Sequence, residues 1–146
     1  MKVIETRGPE ETYNIALSIG REAAPGAVIA LTGNLGIGKT VFAKGIAAGL
    51  GIKDHVSSPT YTIVQQYDGG RLPMYHFDVY RIGDITEMDE TGYEDFFYGD
   101  GVTVVEWADI VRDIMPDDTC WIRIKGNPDK GYEYRRIVIS DEYTSD

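Results

Sequence analysis

The sequence has one cysteine and two histidines among its 146 residues. A single thiol, Cys120, excludes a disulfide within the chain, and its apolar neighbours indicate a space-filling residue rather than a nucleophile. His55 and His76 have no cysteine and no second histidine at the spacing of a zinc site. We therefore expect neither a disulfide scaffold nor a zinc domain.

Long apolar runs and positive charge are also scarce. No stretch approaches the roughly 20 apolar residues that a membrane-spanning helix needs, and the chain does not open with a basic and then apolar leader. We therefore expect a soluble, cytoplasmic protein with no membrane partner. The 24 acidic residues outnumber the 14 basic ones and give a formal net charge of −10, which disfavours direct binding of a polyanion such as tRNA.

The acidic residues are concentrated in one segment. Residues 84–118 hold 12 of them and a single basic residue, Arg112. Such a concentration predicts one strongly acidic surface. Solvation is the simplest explanation of that surface, and a docking face for a basic protein partner is the alternative.

The strongest positive signal is an eight-residue stretch that fits G-x-x-x-x-G-K-[ST], the phosphate-binding P-loop. It follows a strand-like apolar run at 27–31 and precedes helical apolar spacing at 41–50, which is the context that the motif requires. The sequence therefore predicts nucleotide binding. The residues assigned to it are Gly33, Asn34, Leu35, Gly36, Ile37, Gly38, Lys39 and Thr40.

Each residue type in this loop has a chemical task. The glycines allow the backbone to wrap with its N–H groups pointing inward, and the helix that follows adds its positive end, so the loop can hold phosphate oxygens. Lys39 is expected to place its ammonium group against the terminal phosphates of the nucleotide. The Thr40 hydroxyl is a hard oxygen ligand that suits Mg²⁺ bridging those phosphates.

Two acidic residues are candidates for the remaining chemistry. Glu106 ends a buried strand, at the edge where open α/β sheets bind ligands, so we expect it to hold Mg²⁺ directly or through water; a polar strand end is the alternative. Asp78 lies in a strand whose alternation puts His76, Asp78 and Tyr80 on one face. It is either a second acid, which holds metal-bound water or the attacking water, or the ion-pair partner of Arg81.

A loop and an aromatic residue are less specific candidates. Residues 57–62 follow the P-loop helix, where several nucleotide switches keep a loop that senses the γ-phosphate. A threonine hydroxyl or a backbone carbonyl there can meet Mg²⁺ or water, and an ordinary loop is the alternative. Trp107 either stacks on a ring or a partner or belongs to the core.

Apolar periodicity and turn residues predict a single domain over 1–146. The fold class expected is α/β: a P-loop NTPase-like three-layer sandwich whose central sheet mixes parallel and antiparallel strands. Residues 68–71 predict the turn of a hairpin. The predicted strands are 2–5, 27–31, 61–67, 72–80, 102–106, 119–125 and 133–139, and the predicted helices are 9–23, 41–50 and 108–115, with short helical pieces within 84–98.

Four segments together resemble the bacterial TsaE-type ATPases of tRNA threonylcarbamoyladenosine biosynthesis. Members of that family share, in this order, a G-x-L-G-x-G-K-T loop, S-P-T-[YF]-T, Y-H-F-D-x-Y-R and a V-E-W strand end. The corresponding segments of this sequence are 33–40, 58–62, 75–81 and 105–107, so the resemblance extends over most of the chain. The P-loop alone is widespread, whereas the last two segments are specific.

The resemblance implies a Mg²⁺-dependent ATPase that hydrolyses ATP while bound to a TsaD–TsaB complex. It implies weak activity alone, support of repeated turnover by the complex, and contact with tRNA only through that complex. By the same resemblance Lys39 binds the phosphates, Thr40 and Glu106 bind Mg²⁺, and Asp78 and Thr60 support hydrolysis.

Three further residues are assigned to the nucleotide through weaker matches with the family. An acidic residue and a threonine near the first helix correspond to Glu11 and Thr12, and a late arginine corresponds to Arg135. The departures from the family pattern are small. Asn34 and Ile37 replace the more common Asp or Glu and Ala, which removes one negative charge from the loop and no phosphate or metal ligand.

Two other functions remain open on the sequence. A small P-loop phosphotransferase kinase usually has a mobile lid that carries arginines, but segment 84–118 has only Arg112. A nucleotide-sensing adaptor keeps the P-loop and would tolerate the loss of Asp78. A GTPase is disfavoured, because neither 53–54 nor 127–130 has the spacing of the guanine-reading Asn/Thr-Lys-x-Asp motif.

Overall fold

The computed structural model describes residues 1–34, 38–57, 59 and 63–144. Its strands are β1 (Lys2–Thr6), β2 (Val28–Thr32), β3 (Val64–Tyr67), β4 (Met74–Asp78), β5 (Val102–Glu106), β6 (Cys120–Lys125) and β7 (Arg135–Ser140). Its α-helices are α1 (Pro9–Glu22), α2 (Lys39–Gly49) and α3 (Tyr93–Phe97). Three 3₁₀ segments are Ile85–Thr91, Ala108–Ile114 and Pro128–Lys130.

The strands form one seven-stranded sheet in the order β1-β7-β6-β2-β5-β4-β3. The four central strands β6, β2, β5 and β4 are parallel. Strands β7, β1 and β3 pair antiparallel at the margins. Every residue of β2 and β5 is buried, as expected for parallel strands that are covered on both faces. The predicted α/β class with a mixed sheet is confirmed.

Helices α1 and α2 cover one face of the sheet and pack closely on each other. Proline and glutamates in the first turn of α1 suit the free N–H groups and positive end of a helix start. The helix contact depends on glycine: a Cβ on Gly49 would lie 2.2 Å from the carbonyl oxygen of Leu17, and one on Gly20 would lie 2.2 Å from that of Ile46. Backbone atoms cannot yield to such a clash, so these positions set the distance between the helices.

The opposite face is covered by short helical segments. Phe77 and Val105 from the sheet pack there with Met88 and Phe97 in a second buried apolar cluster. The Asp84 carboxylate accepts a hydrogen bond of 3.0 Å from a backbone N–H of the first 3₁₀ segment and so caps it. Two cores on either side of one sheet give the three layers that the sequence predicts, with short helical pieces within 84–98 as expected.

Three predicted elements differ from the structure. The segment predicted as a helix at 108–115 is a 3₁₀ segment with non-helical φ and ψ at Val111. Val111 marks a kink between two short helical turns, so the segment lacks the continuous hydrogen-bond ladder of an α-helix. The strand predicted at 72–80 is β4 and begins after Pro73, which has no N–H for the sheet. Of the strand predicted at 61–67, residues 61–62 lie outside the described residues.

No helix in the described part of the chain is both long enough and apolar enough to span a membrane.

Candidate functional site

The carboxyl ends of three parallel strands meet at one edge of the sheet. In the register of the sheet, Glu106 at the end of β5 lies opposite both Asp78 at the end of β4 and Leu31 near the end of β2. The chain leaves β2 at Thr32 and enters the predicted P-loop. Both candidate acids and the loop are therefore brought together, as the sequence predicts.

The described part of the P-loop has the backbone that the motif requires. Gly33 has φ of 141° and Gly38 has φ of 102°, a region that side chains with a Cβ rarely adopt. Gly38 is the N-cap of α2 and provides no capping side chain, so the first N–H groups of the helix lack a cap from that position. The predicted ligands Leu35, Gly36 and Ile37 lie outside the described residues, as does Thr60.

Lys39 is buried in this edge, with only 5% of its surface exposed. Its Nζ donates hydrogen bonds of 2.7 Å to the carbonyl oxygens of Gly33 and Asn34. It also lies 3.8 Å from the centroid of the Trp107 ring, a cation–π contact. Burial lowers the pKa of the Lys39 ammonium, while neighbouring carboxylates, Glu106 foremost, oppose that shift. A desolvated cation thus lies inside the loop that is predicted to bind an anion.

Trp107 is positioned by an unusual backbone. It has φ of 62° and is the non-glycine residue with positive φ in the described part of the chain. Such strain persists only where the surroundings enforce it, and it is common at functional sites. Its ring packs on Tyr80, with centroids 4.6 Å apart. Trp107 is half-buried beside Lys39 and packs against the second apolar cluster, which agrees with the predicted core position. Stacking on a bound ring or a partner stays a prediction.

Glu106 is the best supported of the acidic candidates. It is 2% exposed, and its Oε1 accepts a hydrogen bond of 3.3 Å from the Thr40 hydroxyl. Its Oε2 lies 2.6 Å from Nε2 of His76, which is fully buried. The residues predicted to share a metal are therefore in contact, across 66 positions of sequence.

Asp78 lies beside Glu106 and is half-buried. Its Oδ1 accepts a hydrogen bond of 3.0 Å from the backbone N–H of Tyr80. Burial raises the pKa of the Asp78 carboxyl; that hydrogen bond opposes the shift and the Glu106 charge adds to it. Strand β4 ends at Asp78, so the predicted alternation holds for His76 and Asp78 but does not extend to Tyr80.

Of the three residues assigned to the nucleotide through weaker family matches, two lie beside the P-loop and one does not. Thr12 and Arg135 line a cavity of about 40 Å³ together with Gly38 of the P-loop. Thr12 is buried and its Oγ1 lies 2.8 Å from that of Thr6. Glu11 is exposed and accepts a hydrogen bond from the backbone N–H of Arg7. Thr12 and Arg135 therefore adjoin the loop, whereas Glu11 is not among the residues that line the cavity.

Comparison with known proteins agrees with this geometry. The family model described as threonylcarbamoyl adenosine biosynthesis protein TsaE matches residues 6–137. The chain belongs to the TsaE family. It is 44% identical over 138 residues to the tRNA threonylcarbamoyladenosine biosynthesis protein TsaE of Bacillus subtilis, covering 94% of this chain and 86% of that protein. The protein of the same name from Treponema pallidum is 38% identical over 120 residues, covering 82% and 88%.

A solved structure gives the same result for the fold. The crystal structure of Bacillus subtilis YdiB matches with a TM-score of 0.80 and 40% identity, covering 94% of this chain and 83% of that one. The resemblance to the TsaE family noted from the motifs is thereby confirmed, and the fold and the family agree.

His76 is the residue of the site that the sequence did not identify. It was set aside as an isolated histidine, yet the sheet puts its ring against Glu106. The signal was present in part, because alternation placed it on the face of Asp78. What the TsaE-type motif cannot reveal is that β4 and β5 are neighbours in a register that makes His76 and Glu106 diagonal partners.

Proposed function

We propose that this chain is a Mg²⁺-dependent ATPase of tRNA threonylcarbamoyladenosine biosynthesis. It hydrolyses ATP while bound to a complex of the TsaD–TsaB type and supports repeated turnover by that complex. Membership of the TsaE family supports the pathway. The observation that carries the ATPase is the contact of Thr40 with Glu106 beside the buried Lys39, at the carboxyl edge of the sheet.

The P-loop and Lys39 bind the phosphates. Lys39 is held by two carbonyl oxygens of its own loop, which are hydrogen-bond acceptors that phosphate oxygens can replace. Because the ammonium is already desolvated, little hydration has to be removed when it meets a phosphate. At about 4 Å and an effective dielectric near 20, such a charge pair is worth roughly 4 kcal/mol.

The residues present fit Mg²⁺. A nucleotide-bound Mg²⁺ takes one or two protein ligands and completes its shell with phosphate and water oxygens. Thr40 and Glu106 offer a hydroxyl and a carboxylate side by side, both hard oxygen donors. When bound, the ion would neutralise charge on the phosphates. In the described part of the chain, three or more His, Cys, Asp or Glu side chains do not cluster into a protein-only metal site, and MgATP does not require one.

The reaction proposed is attack of water on the γ-phosphorus. The water oxygen bonds to that phosphorus, the bond from it to the β–γ bridging oxygen breaks, and ADP, phosphate and one proton are released. Asp78 orients the water and takes up its proton; a pKa raised by burial suits a carboxylate for this task. Lys39 neutralises charge on the transferred group.

Dependence on a protein partner is consistent with the charge of the chain. A net charge of −10 disfavours direct tRNA binding, so tRNA is reached through the complex. The acidic residues of Ile85–Thr91 and α3 are exposed, which fits both a solvated surface and a docking face. The docking face remains a prediction.

The test is ATP hydrolysis by the purified chain, with and without Mg²⁺ and with and without a TsaD–TsaB pair. We expect Mg²⁺-dependent hydrolysis that rises when the pair is added and collapses in Glu106→Ala. Glu22→Ala, an exposed glutamate at the end of α1 and outside the acidic segment, is the matched control and should behave as the wild type. Tight ATP binding with little hydrolysis under every condition would instead favour an adaptor or a kinase that awaits its acceptor.

A further inference from the structure

A buried histidine, His76, contacts the candidate metal ligand Glu106. His76 lies in β4, where it pairs with Val104 of the neighbouring strand, one step before the Asp78–Glu106 pair. Its side chain is fully buried, and Nε2 lies 2.6 Å from Oε2 of Glu106. The other carboxylate oxygen, Oε1, accepts from Thr40. The imidazole and the predicted metal-binding hydroxyl thus each contact a different oxygen of the carboxylate.

The surroundings of Nδ1 indicate which nitrogen of the His76 ring carries the proton that is donated to Glu106. Nδ1 of His76 is buried without a hydrogen-bond partner in the described part of the chain. A buried N–H without an acceptor is costly, and a carboxylate oxygen needs a donor at Nε2. The arrangement therefore fits an Nε2–H that donates to Oε2 of Glu106.

A purely space-filling role does not explain this contact. A buried polar ring is costly unless its hydrogen bonds are made. The sheet partner of His76 is Val104, a member of the apolar cluster, so an apolar side chain here would not carry that cost. The one side-chain hydrogen bond that His76 makes in the described structure is directed at Glu106. Donation from a second residue to a metal-binding group is a known way to fix its orientation.

We propose that His76 is a positioning residue for Glu106. Its Nε2–H holds Oε2, so that Oε1 faces Thr40 and is presented to Mg²⁺ in one orientation. This inference rests on the proposed function for its effect on Mg²⁺, but the hydrogen bond itself does not. Loss of the donor would leave a buried carboxylate that rotates or binds Mg²⁺ less well, while the P-loop contacts to phosphate remain.

The first test measures the Mg²⁺ dependence of hydrolysis in two variants. Removing such a supporting group commonly costs about 10-fold to 100-fold in metal affinity. We therefore expect His76→Leu to need at least about 10-fold more Mg²⁺ for half-maximal rate, with ATP binding in EDTA unchanged. His76→Gln, whose amide N–H can reach the place of Nε2–H, should recover most of the affinity. Wild-type Mg²⁺ dependence in His76→Leu, or equal losses in both variants, would overturn the proposal.

The second test needs neither activity nor a folded variant of His76. Nitrogen-15 NMR of wild-type protein with labelled histidine rings reports which nitrogen carries the proton, and His55→Gln assigns the signals because the chain has two histidines. We expect protonated Nε2 and bare Nδ1 at His76, and a shift of the Nε2 signal in Glu106→Gln. A proton on Nδ1 alone would contradict the proposal. If the wild type shows no Mg²⁺-dependent hydrolysis, the proposed function fails while this measurement still decides the hydrogen bond.

Discussion

The carboxyl edge of the central strands and the α1–α2 interface are both buried but are built from opposite kinds of residue. At the edge, Lys39, His76 and Glu106 are each at most 5% exposed and carry charge or ring nitrogens. Between the helices, Ala16, Ala43 and Ile46 are fully buried and the backbones touch through glycines. One region buries polar groups at a cost, and the other buries apolar surface with close packing.

The difference indicates where stability and function come from. Apolar burial and dispersion favour folding, whereas buried charges must be compensated and rarely stabilise a protein. A lysine and an aspartate whose pKa values are shifted by burial toward their neutral forms are therefore expected to serve chemistry rather than the fold. Substitutions at the edge should change activity and spare stability, and substitutions between the helices should do the reverse.

The largest effect is expected at Lys39. Lys39→Ala removes the phosphate-binding cation, and a loss of about 4 kcal/mol corresponds to a fall in kcat/KM on the order of a thousandfold. Melting temperature should change little, because the buried charge disappears together with its hydrogen bonds. The measurement is ATP hydrolysis with the partner complex, next to thermal unfolding, with Lys44→Ala on the same helix as the control. Near-normal hydrolysis by Lys39→Ala would contradict the claim that the buried polar residues of the carboxyl edge serve chemistry.

The converse effect is expected at Gly49. Gly49→Ala drives a methyl group into the Leu17 carbonyl of α1, and overpacking of this kind costs roughly 1–3 kcal/mol. Thermal or urea unfolding measures the loss, and hydrolysis per folded molecule should stay at the wild-type level. At Gly83 an added Cβ would lie 3.7 Å from its nearest neighbour, so Gly83→Ala is the control. Unchanged stability in Gly49→Ala would show that the helix contact is not set by glycine.

Asp78 offers a sharper contrast, because its loss should stabilise the protein. Burial raises the pKa of the Asp78 carboxyl, which means that its ionised form destabilises the folded state. This destabilisation is complete at pH values above the folded-state pKa and disappears below the unfolded-state pKa. Asp78→Asn keeps the oxygen that accepts from Tyr80 and removes the charge. We expect a higher Tm than wild type at pH 7, a difference that shrinks as pH falls through the raised pKa, and reduced hydrolysis.

Asp84 is the matched control for this pH series. Its pKa is lowered by hydrogen bonds from Thr86, so its ionised form is favoured by folding, and that contribution is lost as pH falls through the lowered pKa. Asp84→Asn should therefore not raise the Tm at pH 7. A lower Tm for Asp78→Asn than for wild type at pH 7 would mean that Asp78 serves the fold.

The smallest effect is expected at Cys120. It begins β6 opposite Ile29, at the end of the sheet away from the site, and burial raises the pKa of its thiol. Cys120→Ala should leave hydrolysis unchanged, and the wild-type thiol should react slowly with iodoacetamide at neutral pH. Rapid alkylation of Cys120 that abolishes hydrolysis would indicate that a residue outside the carboxyl edge takes part in the reaction.

Local sequence signals were enough for much of the fold. The first helix with its proline and acids and the hairpin of β3 and β4 depend on residues close together in the chain, and the structure has them. The same holds for the described part of the P-loop, where Gly33 and Gly38 have positive φ. The segment at 108–115 was mistaken for an α-helix because apolar residues three apart fit both helix types over so short a length.

Contacts between strands that are distant in the chain could not be predicted from the sequence. Glu106 and Thr40 could be assigned to one metal because each ends or follows a recognisable motif. His76 could not be assigned to Glu106, because their contact depends on the register of two strands that the helical segments between them separate. The closeness of α1 and α2 was likewise unpredictable, since a glycine in a helix does not indicate which backbone it faces.

Calorimetric titration of ATP, with Mg²⁺ and with EDTA, into the wild type and Glu106→Gln tests the carboxyl edge most directly. The account predicts one ATP per chain, tighter binding with Mg²⁺ in the wild type, and loss of that Mg²⁺ effect in Glu106→Gln while binding in EDTA stays the same. Absence of ATP binding, or an equal Mg²⁺ effect in both proteins, would contradict it.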